Sequence, residues 1–312
     1  MDIFIERAQY CCGLLTDVAQ ALAYEWEAVV RNKYASACAT SKIKKMSLNF
    51  QNHNAWENKN QYVDYEASVT FLSFYANDLI QRANLEQFKE APSVRLLDVA
   101  TGTGLVAFKL EELLSNYKNV TIDGVDFSST MIQAANEKKK QRNSQMTVFQ
   151  EMDGQDLKFQ DETFQVVFAN MGVLFYPDIV KGLKEMHRVL QSGGHAFVNA
   201  WTRDLPARVP LELALELSGK DFSKSPALSL SDPKVFSQFA QQAGFSKVSV
   251  ETVRFVARVK FTSYIESLKV NPALFPENEE EFIAKIAEKF GVVDYNQEIE
   301  IETAANVASL TK

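Results

Sequence analysis

Apolar residues recur at helical spacing along the first forty-five positions, at Phe4, Ala8, Cys11, Leu15, Val18, Leu22, Trp26 and Val29, with Glu27 one turn before Arg31. The pattern predicts an amphipathic helical extension over 1–45, ahead of a main body over 46–312. A polar stretch over 42–60 follows, holding Lys42, Lys44, Lys45 and Met46. It reads as a linker or as an alternative translation start. Helical periodicity returns over 66–89 on Val69, Phe71, Leu72, Phe74, Tyr75, Leu79, Ile80, Leu85 and Phe88, and Pro92 closes that segment.

From position 94 short apolar runs alternate with amphipathic stretches at intervals of about 20–30 residues, which predicts repeated strand-helix units around a parallel sheet. The strands are expected at 94–99, 119–125, 146–151, 164–170 and 195–201, with helices at 105–116, 128–140 and 178–190. Gly193 and Gly194 supply the turn into the fifth strand. Ser231-Asp232-Pro233 is a helix start whose buried face is Phe236, Phe239, Ala240 and Ala243, and Gly244 ends it. Two more strands, 247–257 and 297–304, are expected around helices near 261–269 and 279–290. No internal repeat or low-complexity tract interrupts this order.

Composition narrows the function. The 312 residues carry 33 Lys+Arg against 40 Asp+Glu, a net charge of −7, which disfavours a nucleic-acid partner. The 3 cysteines are an odd number, and the neighbours Cys11 and Cys12 do not suit a relaxed disulfide, so a reducing compartment is expected. No apolar run approaches the roughly 18 residues of a membrane span. Asp2 and Glu6 stand where a secretory segment would be basic, and the expected address is the cytoplasm. The 1–45 stretch mixes acids with few bases on its polar face, which suits packing or a homodimer contact rather than a membrane anchor.

The informative segment is Leu96-Leu97-Asp98-Val99-Ala100-Thr101-Gly102-Thr103-Gly104, where an apolar strand runs into glycines that open a helix. Small residues at Ala100, Gly102 and Gly104 permit a tight bend with backbone N–H groups open to a ligand. Asp126 lies 22 residues beyond Gly104 at the end of the second strand, where a carboxylate accepts from both hydroxyls of a ribose. Gly102-x-Gly104-x-x-Ala107 also satisfies the dinucleotide fingerprint of an NAD(P)-dependent oxidoreductase. Asp98 tilts the choice, because a buried carboxylate beside the bend suits a cation-bearing nucleoside better than a pyrophosphate.

These motifs resemble the class I S-adenosylmethionine-dependent methyltransferases, closest to the small-molecule group that includes the ubiquinone and menaquinone C-methyltransferases. LLDVATGTG matches the glycine loop, with Ala100 where many members carry a first glycine. GVDFSSTMI over 124–132 and MDGQDLKF over 152–159 match the second and third motifs, and ETFQVVFANMGVLFYPD with LKEMHRVLQSGG matches the fourth and fifth. The resemblance implies a Rossmann-like, doubly wound seven-stranded sheet with helices on both faces and an antiparallel last strand. It implies S-adenosyl-L-methionine as cofactor, with Asp126 on the ribose, Phe127 and Met131 near the adenine, and Asp153 and Gly154 at the adenine edge. Asn170 and Met171 would line the methionine end, and a lid over 46–92 would close the site. The fourth motif lacks the Asn/Asp-Pro-Pro-aromatic grip on planar nitrogens, which argues against an exocyclic amine as target.

Around that cofactor, Tyr62, Tyr65, Phe175, Tyr176, Trp201 and Arg203 are the substrate-wall residues by position, with Arg203 the anchor for an acidic group; Trp56 belongs to the lid or to packing. His53 and Tyr65 are the weak candidates for a base, whereas His187 and His195 read as structural. No His/Cys/Asp cluster stands at ligand spacing, so no metal is expected. Glu279, Glu280 and Glu281 read as a solvated helix face. A non-catalytic cofactor-binding relative is the alternative from another class, suggested by the missing base and the added extension.

Overall fold

The computed structural model describes residues 69–205, 208–210, 212–213, 228–268 and 278–312. The extension over 1–45, the linker, and His53, Trp56, Tyr62 and Tyr65 lie outside the described residues.

Seven strands form one sheet: β1 (Val94–Val99), β2 (Val120–Asp126), β3 (Thr147–Glu151), β4 (Phe164–Asn170), β5 (Leu190–Trp201), β6 (Lys247–Lys260) and β7 (Glu298–Thr311). Their spatial order is β3-β2-β1-β4-β5-β7-β6. The first five pair in parallel, while β7 runs antiparallel to both β5 and β6. The helices are α1 (Val69–Arg82), α2 (Leu105–Leu113), α3 (Ser129–Arg142), α4 (Ile179–Val189), α5 (Pro233–Gln242), α6 (Phe261–Leu268) and α7 (Glu279–Lys289).

Alternation along the buried strands sorts the helices onto two faces. Leu96, Val166, Phe168 and Phe197 point to one side and pack with Ala76 and Leu79 of α1, Val106 and Leu110 of α2, and Ile132 of α3. Leu97, Val99, Val167 and Val198 point to the other and pack with Leu183 and Met186 of α4 and Phe236 and Ala240 of α5. The strand order reverses between β1 and β4, and ligand crevices of open α/β sheets form at the carboxyl ends beside such a switch.

Five elements depart from the sequence reading, among them α2, which stops at Leu113 rather than at 116. The helix expected over 66–89 stops at Arg82, because Asn84 turns left-handed at φ 44° and the apolar spacing continues through a single 3₁₀ turn, Leu85–Phe88. The fifth strand begins at Leu190, five residues early, where the register shifts between Phe164 and Val166 and Gly193 adopts φ 75°. β6 and β7 run to Lys260 and Thr311. Opposite Ala305, β5 ends at Trp201, so residues 298–304 of β7 overhang the carboxyl edge of the sheet by about 20 Å, with β6 alongside. Phe261, Tyr264 and Ile265 of α6 and Phe282 and Ile286 of α7 pack on Ile299 and Ile301 of this overhang and on Phe71 of α1, forming a third core above that edge.

Candidate functional site

β1 delivers the chain into a bend whose conformation only small residues tolerate. Ala100, Gly102 and Gly104 all take positive φ, at 56°, 55° and 89°. Thr101 N–H donates to Val125 O at 2.9 Å, tying the bend to β2, and Gly104 starts α2. A side chain at Gly104 would also collide with the rings of Phe108 and Phe149. At Ala100 the left-handed backbone carries a methyl group, a conformation that costs an L-residue roughly 1–2 kcal/mol. That methyl lies where a Cβ on Gly172 would sit. Gly172→Ala should therefore cost about 2–3 kcal/mol by overpacking. In the Ala100→Gly background the nearest remaining atoms are the Cα and O of residue 100, at 3.6 and 3.8 Å, and the cost should fall below about 1 kcal/mol. Urea unfolding of the four proteins measures the coupling, and additive effects would refute the overlap.

Asp98 is 1% exposed at the end of β1. Its Oδ2 accepts from Thr101 Oγ1 at 2.6 Å and from Ala107 N–H at 3.3 Å, while Oδ1 is buried without a hydrogen bond. Burial pushes its carboxyl up to about 7; the two hydrogen bonds work against that rise and the charge of Asp126 adds to it. Asp126, also buried, ends β2. Its Oδ2 accepts from Gly102 N–H at 2.9 Å and its Oδ1 from Ser128 N–H at 3.0 Å, and Ser128 in turn caps α3 at Met131 N–H. The carboxylate thus braces the glycine bend against the turn after β2.

A cleft of about 510 Å³ touches Asp98, Ala100, Thr101 and Asn170 and runs along α2 and α3 past Lys109, Lys138 and Arg142; Asp126 and Asp153 do not line it. Asn170 ends β4 and belongs to an amide relay. Asn199 Nδ2 donates to Asn170 Oδ1 at 2.9 Å, Asn170 Nδ2 donates to Leu72 O of α1 at 3.3 Å, and Met171 N–H donates to Asn199 Oδ1 at 2.7 Å. The relay holds Met171 at φ 58°, beside the bend that carries Ala100. Asn199 is fully buried. The sequence reading missed it, although a polar residue inside the apolar run AFVNAW is a signal, since a buried amide must find partners.

The remaining expected residues divide. Phe127 is half-buried and Met131 is buried in the first turn of α3. Asp153 opens a turn after β3, its Oδ1 accepting from Gln155 N–H at 2.8 Å. Phe175 is half-buried in a short 3₁₀ turn after β4, and Arg203 is exposed just past β5. Trp201, half-buried, meets Tyr75 edge-on at 5.3 Å between ring centroids, and Phe74 stacks on Phe255 at 3.9 Å. These rings form an aromatic shelf from α1, the end of β5 and the overhanging part of β6. Tyr75 Oη and Thr303 Oγ1 are hydrogen-bonded at 2.9 Å, and burial raises the phenol to about 12. Tyr176 stands apart from the shelf, buried between Gly154 and Gly182, where a methyl group on either glycine would overlap it.

Both described histidines serve packing. The ring of His187 meets Phe245 edge-on at 5.2 Å, and His195 Nδ1 lies 3.2 Å from Thr311 Oγ1. Among the described residues no group of three or more His, Cys, Asp or Glu is placed to hold a metal ion, and no helix is long and apolar enough to cross a membrane.

Comparison with known proteins agrees with this geometry. Residues 46–217 match the model of the ubiE/COQ5 methyltransferase family. A demethylmenaquinone methyltransferase of Alkalihalophilus pseudofirmus is 26% identical over 205 residues, covering 61% of this chain and 86% of the relative. A ubiquinone/menaquinone biosynthesis C-methyltransferase of Geotalea daltonii is 35% identical over 135 residues, 43% of this chain and 57% of the relative. A solved structure of a candidate methyltransferase from Bacillus halodurans C-125 superposes with a TM-score of 0.53 at 18% identity, covering 76% of this chain and 98% of the other, a likeness of fold. The glycine bend, the paired carboxylates and the sheet order thus have one common explanation: the chain belongs to the ubiE/COQ5 methyltransferase family and is an S-adenosylmethionine-dependent methyltransferase acting on a small molecule.

Proposed function

We propose that the chain methylates a ring carbon of a demethylmenaquinone-type acceptor in its reduced, quinol form, whose ring hydroxyls make that carbon nucleophilic. The observation that carries this reading is the aromatic shelf of Phe74, Phe255 and Trp201 above the carboxyl edge, a surface that suits a planar apolar ring better than a charged acceptor. The names of the relatives from Alkalihalophilus pseudofirmus and Geotalea daltonii support the same acceptor class and carbon as the methylated atom. The net charge of −7 supports a small molecule over a nucleic acid, and a cytoplasmic address belongs to the same reading.

The residues fit the cofactor. Asp98 offers a buried oxygen without a partner to a cationic group, and the bend at Gly102 has space on the side where a side chain would stand. In this reading Asp126 accepts from the ribose hydroxyls and Asp153 from the adenine amine, with Gly154 at the adenine edge and Phe127 and Met131 on its faces. Asn170, Met171 and Ala100 line the methionine end. When bound, S-adenosylmethionine supplies a methyl group on a sulfonium, an electrophile that needs no metal. The protein's part is to hold that methyl and the acceptor carbon at about 3–3.5 Å in line and to exclude water. The carbon that gains the methyl loses a proton, which an ionised ring hydroxyl or solvent can take.

Transfer of a labelled methyl group to purified demethylmenaquinone, reduced chemically to the quinol beforehand, tests the reading, with label expected in the quinone fraction. Label appearing in another compound of a cell extract, with none in the quinone, would replace the acceptor and leave the methyltransferase standing.

A further inference from the structure

Tyr176 is large and buried, yet the chain has arranged two glycines around it. Its ring fills the Cβ position of Gly182, and its hydroxyl fills that of Gly154. A Cβ at Gly154 would also meet Val99 Cγ1 at 2.9 Å, so the phenol reaches the end of β1 beneath the turn that follows β3. The hydroxyl makes no hydrogen bond to any described residue. The carboxylates that act on it are Asp126 at the end of β2, Asp153 in the turn after β3 and Asp98 near the end of β1.

Those carboxylates share one chemistry: ionised, each accepts hydrogen bonds and donates none. A ribose diol and an exocyclic amine are donors and suit them. The ring nitrogens of adenine are acceptors, and Asp126 and Asp153 cannot serve them. Tyr176 brings an O–H donor to the same place, against Gly154, the residue that follows Asp153. We propose that the Tyr176 hydroxyl donates a hydrogen bond to an adenine ring nitrogen flanking the amine, N1 or N7, and so makes Tyr176 a determinant of nucleobase recognition in this chain. The inference rests on the cofactor reading above. Burial and the three negative charges raise the phenol far above its ordinary range, so the hydroxyl stays protonated and remains a donor at any working pH.

Tyr176→Phe deletes the donor and keeps the ring between its two glycines. Calorimetric titration with S-adenosylhomocysteine should show affinity falling about three- to tenfold, the worth of one hydrogen bond. With the 1-deaza or the 7-deaza analogue, whichever lacks the nitrogen concerned, wild type and variant should bind alike. With the other analogue the full difference should persist. Equal affinity of wild type and variant for S-adenosylhomocysteine itself would overturn the inference while leaving the cofactor reading intact. So would an undiminished loss with both analogues, since that belongs to packing alone. A wild-type protein that binds no S-adenosylhomocysteine would remove both. Thermal unfolding of the unliganded variant at the wild-type temperature shows that any loss is not one of folding.

Discussion

Asp126→Ala should lose at least about a hundredfold in affinity for S-adenosylhomocysteine, because two hydrogen bonds to a charged carboxylate, each worth about 1.5–3 kcal/mol, disappear together. The same substitution strips acceptors from Gly102 N–H and Ser128 N–H, and the bend loses its brace to the turn after β2. A loss of affinity therefore has two sources, and the ligand can separate them. A 2′,3′-dideoxy analogue lacks the diol but still needs the bend. Wild type should bind this analogue far more weakly than S-adenosylhomocysteine, and Asp126→Ala should show almost no preference between the two. If the variant keeps the wild-type preference for the diol, another group holds the ribose, and the role proposed for Asp126 is wrong.

What the sequence made legible follows from where each structural decision is taken. β1 and β4 are read end to end, since both are short apolar runs buried on two faces and bounded by polar or proline-containing turns. The glycine bend is equally local: Ala100, Gly102 and Gly104 declare a positive-φ path within five residues. β7 is under-read because its central position rests on buried polar residues. Asn306 donates from Nδ2 to Leu230 O and Ser231 O, both 2.9 Å away, partners that no local periodicity announces. The aromatic shelf joins Phe74 to Phe255 across most of the described chain, and only the overhang of β6 and β7 brings them together. Tyr176 is the sharpest case. Its sequence neighbours place it near a substrate wall, but the missing side chains at Gly154 and Gly182 draw its ring under the turn after β3. Glycine marks such a space in the sequence without saying which side chain fills it.

Asp98→Asn should make the unliganded protein more stable at pH 8 and weaken its hold on the cofactor. The wild-type carboxyl titrates near 7 when folded, against 3.8 as its ordinary value, so between about pH 4 and pH 7 the folded state keeps a proton that the unfolded chain has released. Stability from this group is therefore greatest below about pH 4, falls as pH rises to 7, and is level beyond. The fall is about 4 kcal/mol. Asparagine has no proton to lose, keeps an acceptor for Thr101 Oγ1 and Ala107 N–H, and should show no such slope relative to wild type. Urea unfolding at pH 5 and pH 8 measures the difference, and parallel pH profiles for the two proteins would show that Asp98 is ionised throughout. Cofactor binding runs the other way. A cation beside Oδ1 favours the ionised form, so wild-type affinity for S-adenosylmethionine should climb as pH passes from 6 to 8 and that of Asp98→Asn should stay flat and lower. On the proposed cofactor reading, the carboxylate that burdens the empty fold at neutral pH is also the group whose charge the ligand neutralises, and substituting it improves stability only by removing that attraction.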